Sequence, residues 1–75
     1  MDREQILEHL AQAERKIGAG EREVARLWQD LTRLERSGEV ALKTRQELRL
    51  HEQSQSVHRE ERTRLLGELS ASKAA

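Results

Sequence analysis

The chain contains no cysteine and no proline among its 75 residues, and its only aromatic residue is one tryptophan. The lack of cysteine excludes a disulfide framework, cysteine-based zinc modules and thiol chemistry. No apolar run approaches the roughly 18 residues that a membrane-spanning helix needs, and no signal-peptide pattern opens the sequence. With 14 basic and 14 acidic residues the net charge is zero. We therefore expect a cytoplasmic protein without membrane contact.

The composition is instead rich in residues that favour helices. Ala, Glu, Lys, Leu and Arg together supply 45 of the 75 residues, which is typical of coiled coils and long helices. A chain of this length forms one small domain at most. The expected fold class is therefore all-α.

Apolar and small residues recur with heptad spacing through the first half of the chain, which predicts an amphipathic helix over about 2–36. Asp2 is expected to cap this helix, with Gln5 as the reciprocal partner three residues later. The a and d positions, with Ile6 just outside the strict register, are Ile6, Leu10, Ala13, Ile17, Gly20, Val24, Leu27, Leu31 and Leu34.

Ser37 and Gly38 interrupt this pattern. Glycine accepts the left-handed conformation that closes a helix, so we predict a turn over 37–39. A second helix is expected over about 39–70, with Glu39 in its first turn, followed by a frayed tail over 71–75. The stripe of this helix is apolar at both ends and polar in the middle: Leu42, Leu48, His51, Gln55, His58, Arg62, Leu65, Leu66 and Leu69.

Two helices of this length, joined by a short turn, would form an antiparallel hairpin about 50 Å long. A lone hairpin has one interface and no enclosed core, so we expect two copies to form a homodimeric four-helix bundle. The alternative is one continuous helix in a parallel coiled coil. The predicted interface residues are Leu10, Ile17, Val24, Leu27, Leu31, Leu34, Leu48, Leu65 and Leu69.

The histidines are the first candidates for chemistry. The segment from His51 to Gln55 resembles a helical zinc motif, but Gln55 occupies the place of the second histidine. His51 and His58 are about 10 Å apart along a helix, too far to share one ion within a chain. We therefore predict no metal, no cofactor and no catalytic residue. His51, Gln55, His58 and Arg62 are expected to form a polar network, and a histidine-dependent metal or pH sensor stays open as an alternative.

Two further features could bind a partner. Trp28 lies beside Leu27 and either packs at the side of the bundle or anchors a partner protein, because tryptophan is enriched in binding hot spots. Arg59, Arg62 and Arg64 are the best candidates for contacts with nucleic acid. Glutamates interrupt that cluster, however, and no aromatic side chains are available to stack on bases, so nucleic acid is not expected as a partner.

Several segments carry a resemblance that covers nearly the whole chain: His9 to Arg15, Gly20 to Arg22, Leu34 to Arg36 with Gly38, Leu48, Gln55, His58, and Arg62 to Leu66 with Glu68 and Leu69. In these segments the chain resembles a group of short, uncharacterised bacterial proteins built as helical hairpins. The resemblance implies the hairpin fold and carries no activity or functional residues, and Val40, Ala41, Leu42 and Glu47 depart from the pattern of the group.

These observations together predict a self-associating protein–protein interaction or scaffold module without catalytic activity. Alternatives are an accessory factor that contacts nucleic acid through the Arg59, Arg62 and Arg64 cluster, and the histidine-dependent sensor.

Overall fold

Two long helices make up nearly all of the molecule. The structure is a computed structural model that describes residues 2–74, and within this range α1 spans Arg3–Arg36 and α2 spans Leu42–Ala74. The helices run antiparallel and pack along their length in a molecule of 59 × 14 × 14 Å. The predicted helical hairpin is confirmed. The alternative of one continuous helix is wrong, since such a helix would be about 105 Å long.

The first helix begins at the predicted cap. The Gln5 backbone N–H donates to Asp2 Oδ1 at 2.8 Å, and the Asp2 backbone N–H donates to Gln5 Oε1 at 3.1 Å. This reciprocal pair satisfies two backbone donors at the helix start that would otherwise lack an intrahelical acceptor.

The chain reverses immediately after α1. Gly38 has a φ of 76°, in the left-handed region that glycine adopts without the steric cost of a Cβ atom. The Gly38 N–H donates to the Glu35 carbonyl at 3.2 Å, and the Glu39 N–H donates to the Leu34 carbonyl at 3.0 Å. These two bonds form a Schellman motif, which uses carbonyls that the end of the helix leaves without partners.

The second helix begins three residues later than the sequence suggested. Glu39 belongs to the closing motif of α1, so its predicted place in the first turn of α2 is wrong, and that turn contains no acidic residue. Ala41 is buried and its carbonyl accepts the Arg45 N–H at 3.0 Å. The chain needs residues 39–41 to cross the spacing of roughly 8–10 Å between packed helix axes.

The end of α2 also differs from the prediction. The helix continues to Ala74, beyond its predicted end at about residue 70. The expected fraying of the tail stays a prediction, and residue 75 lies outside the described residues.

The helices bury two apolar clusters against each other. The cluster near the turn is built on Leu27, Leu31, Ala41 and Leu48, with Val24 and Leu34 packed against it. The cluster near the open end of the hairpin is built on Ile6, Ala13 and Leu65, with Leu10 and Leu69 packed against it. Leu27 and Leu65 are fully buried. Leu42 and Leu66 belong to the predicted stripe of α2 but are exposed. Each follows directly after a residue of the buried stripe, Ala41 and Leu65 respectively.

The positive φ of Gly38 gives a direct test of the turn. Gly38→Ala should lower the free energy of unfolding by about 1–2 kcal/mol, the cost of placing a Cβ atom in the left-handed conformation. Gly67→Ala is the matched control, because nothing lies within 4 Å of the added Cβ and the helix should gain about 0.5–1 kcal/mol. Urea denaturation followed by circular dichroism measures both. Equal effects of the two substitutions would contradict the assigned turn.

Candidate interaction surface

The predicted interface residues lie inside a single hairpin. Ile17, Leu27, Leu31, Leu48 and Leu65 are buried between α1 and α2, and the other four are half-buried there. The assignment of the five buried residues to a contact between two hairpins needs correction, because the helices of one chain already cover them. The four half-buried residues keep accessible surface, so their contact with a second molecule stays a prediction.

The middle of the helix interface is polar. Gln55 is buried, with 4% of its surface exposed, and its Nε2 donates to the Ile17 carbonyl at 3.0 Å. Its Oε1 has no hydrogen-bond partner among the described residues. The amide occupies the space in front of Gly20, where an added Cβ would lie only 2.0 Å from Oε1. Gly20 therefore provides the room that the buried glutamine needs.

Among the described residues, the other members of the predicted polar network form no hydrogen bond with Gln55. His51, His58 and Arg62 are half-buried, and His58 lines a narrow groove with His9, Lys16 and Glu61. Across residues 2–74, no three His, Asp or Glu side chains converge in a way that could hold a metal ion. The buried hydrogen bond that the structure contains here joins Gln55 to the backbone of α1.

The arginine cluster is paired with carboxylates. Arg59 lies 3.9 Å from Glu21, and Arg62 lies 3.8 Å from Glu14. Arg64 binds Glu61 and Glu68 within its own helix. Because these carboxylates neutralise the arginines, the cluster offers little net positive charge for binding a phosphate backbone.

Trp28 lies at the centre of one long edge of the hairpin and is half-exposed, with 51% of its surface accessible. We call this the Trp28 edge, and its residues recur every seven positions on each helix. The indole lines one groove together with Arg49 and Glu52, and a second groove together with Glu21 and Arg59. In α1 the members are Leu7, Glu14, Glu21, Trp28 and Glu35, and in α2 they are Arg45, Glu52, Arg59 and Leu66; all are exposed.

Charge is divided between the helices along the Trp28 edge. Among the described residues, three ion pairs cross between the helices, and each joins a glutamate of α1 to an arginine of α2. The closest of them is Arg45 Nη2 to Glu35 Oε1 at 2.7 Å. Within α1, the charged members of this edge are all acidic. In α2, Glu52 is the one acidic member, and it lines a groove together with Trp28.

The opposite edge of the hairpin has a different character. Arg26 donates to Glu23 and Asp30, and Arg64 donates to Glu61 and Glu68, so each guanidinium joins carboxylates three positions before it and four after it in the same helix. The carboxylates in these networks are half-buried. No large apolar residue occupies this edge, whose members are His9, Lys16, Glu23, Asp30, Glu47, Ser54, Glu61 and Glu68.

The sequence contains a signal for the Trp28 edge next to the heptad core. Glu14, Glu21, Trp28 and Glu35 recur every seven residues beside the core positions, as do Arg45, Glu52 and Arg59. This spacing places each set on one helical face. Which arginine meets which glutamate depends on the register between the helices, which only the structure provides.

No protein-family model, curated protein or solved structure matches the chain. Neither α1 nor α2, over the described part of the chain, has an apolar stretch long enough to cross a membrane.

The close approach of Gly20 and Gln55 predicts opposite effects for two neighbouring substitutions. Gly18→Ala should raise the free energy of unfolding by up to about 1 kcal/mol, because the nearest atom to the added Cβ is 3.7 Å away and helix propensity improves. Gly20→Ala should lower it by about 1–3 kcal/mol, since the buried amide must move and loses its bond to Ile17. In a double-mutant cycle, Gly20→Ala should cost much less free energy of unfolding in the Gln55→Ala background than in the unchanged chain. Additive effects of the two substitutions would contradict the contact.

The arginine networks predict a loss of stability in acid. Hydrogen bonds from Arg26 and Arg64 hold the pKa values of Glu23 and Glu61, respectively, below the ordinary value of 4.5. A carboxyl with a lowered pKa in the folded state stabilises the fold above its unfolded pKa, and this contribution disappears as the pH falls through the folded pKa. The melting temperature should therefore decrease as the pH is lowered below about 4.5. Arg26→Gln with Arg64→Gln should flatten this fall, and an unchanged pH profile in that variant would contradict the assignment.

Proposed function

We propose that this chain is a self-associating protein–protein interaction module without catalytic activity, and that a second copy binds along the Trp28 edge. The observation that carries the proposal is the half-exposed indole at the centre of that edge. Tryptophan contributes a large apolar area to interfaces and is enriched among the residues that dominate binding energy.

The limited core supports association. The two helices bury their apolar side chains in a single interface that a buried glutamine interrupts, in a molecule only 14 Å across. Small domains without disulfides or metals commonly gain stability by oligomerisation. A second copy would cover Trp28 together with Leu7 and Leu66, which are each 43% exposed on the same edge.

The contrast between the two edges supports the choice of surface. On the opposite edge the carboxylates are half-buried and bonded to arginines of their own helix. Along the Trp28 edge, Glu35 accepts a hydrogen bond from Arg45, but Glu21 and Glu14 lie 3.9 Å and 3.8 Å from Arg59 and Arg62, which is longer than a hydrogen bond. Glu21 and Glu14 therefore retain acceptor capacity for a second molecule.

Trp28→Ala tests this proposal. Sedimentation equilibrium at micromolar concentration should show a dimer of the unchanged chain. The substitution should raise the dimer dissociation constant about 30-fold or more, as expected for an interface residue worth at least about 2 kcal/mol. The hairpin itself should keep its helical circular dichroism spectrum, because Trp28 lies outside both apolar clusters.

Leu50→Ala is the matched control for that measurement. Leu50 is 62% exposed and lies off the Trp28 edge, so its removal should leave the dissociation constant unchanged. Tryptophan emission should move to longer wavelength as the unchanged protein is diluted and the indole becomes exposed. A folded monomer at all concentrations, or equal effects of the two substitutions, would refute the proposal.

A further inference from the structure

We infer that two copies bind side by side with their turns at the same end, so that α1 of each copy faces α2 of the other across the Trp28 edge. The two-fold axis of this dimer is parallel to the long axis of the hairpin. The inference rests on the proposed function and adds the orientation of the second copy.

The division of charge along the Trp28 edge carries this inference. Glu14, Glu21 and Glu35 line the α1 side, and Arg45 and Arg59 line the α2 side, on which Glu52 is the one acidic member. A two-fold axis along the hairpin brings the α1 side of one copy against the α2 side of the other at the same level. Acidic side chains then meet basic ones in both halves of the interface, and such complementarity fixes the register and rejects other arrangements.

The reverse orientation places like charges together. A two-fold axis perpendicular to the hairpin and lying in the interface sets α1 against α1 and α2 against α2, with the ends exchanged. Centred on Trp28, it would bring Glu21 near Glu35 of the second copy. On the other helix it would bring Arg45 near Arg59 of the second copy. Like charges facing each other across an interface are unfavourable.

The uncharged members of the edge agree with the same orientation. Leu7 of α1 and Leu66 of α2 both lie near the open end of the hairpin. The proposed axis therefore places Leu7 of each copy against Leu66 of the other copy. Trp28 then lies at the level of Arg49 and Glu52 of the second copy, because it shares a groove with these residues within its own chain. A guanidinium over an indole face is a favourable cation–π contact.

Energy transfer between labelled copies tests the orientation. The chain has no cysteine, so Glu39→Cys in the turn and Ser70→Cys near the open end each provide one labelling site. Both positions are exposed. In a mixture of donor-labelled and acceptor-labelled Glu39→Cys chains, transfer should be several-fold stronger than in a mixture of Glu39→Cys donors with Ser70→Cys acceptors. The difference is expected because the molecule is 59 Å long.

The possible outcomes separate this inference from the proposed function. Stronger transfer between the turn and the open end, or equal transfer in the two mixtures, would overturn the orientation while leaving the dimer in place. Weak transfer in both mixtures, with a monomer in sedimentation equilibrium of the same samples, would overturn both. Adding Trp28→Ala to the labelled chains should abolish the transfer at low micromolar concentration; transfer that persists would show that the copies meet through another surface and would overturn the inference.

Discussion

The left-handed conformation of Gly38 and the two hydrogen bonds that close α1 set the register of the whole hairpin. From that point each residue of α1 meets a fixed part of α2, because the chain has only residues 37–41 in which to cross. The same register brings Leu27 to Leu48, Gly20 to Gln55 and Glu35 to Arg45. The core, the polar middle and the charge pattern of the Trp28 edge are thus consequences of one reversal of the chain.

The fold could be predicted from the sequence where the pattern is local. The heptad spacing of α1, the capping pair of Asp2 and Gln5 and the glycine of the turn each act within a few residues, and the structure contains all three. The start of α2 could not be predicted in this way. Glu39 has a suitable charge for a helix start, but its N–H is used to close α1, and the chain must first cross to the second axis.

The sequence does not specify which helix covers the apolar stripe. A heptad pattern shows that one face of a helix is buried, but it does not show which helix covers it. Leu27, Leu31 and Leu48 were assigned to a contact between two molecules, and the structure buries them within one. The exposed residue Trp28 lies one position outside this stripe. Its place beside two rows of opposite charge becomes visible only when the register between the helices is known.

The buried glutamine is best explained as a determinant of that register. Its Oε1 lacks a partner among the described residues, and an unsatisfied buried acceptor costs free energy that an apolar side chain would not. A buried polar residue can instead specify one alignment of two helices. Gly20 is the position in the middle of α1 where the amide fits. If the helices were shifted by about one turn, Ile17 or Val24 would take the place of Gly20 and would present a branched side chain to the amide. A slipped hairpin would also separate Arg59 from Glu21 and Arg62 from Glu14.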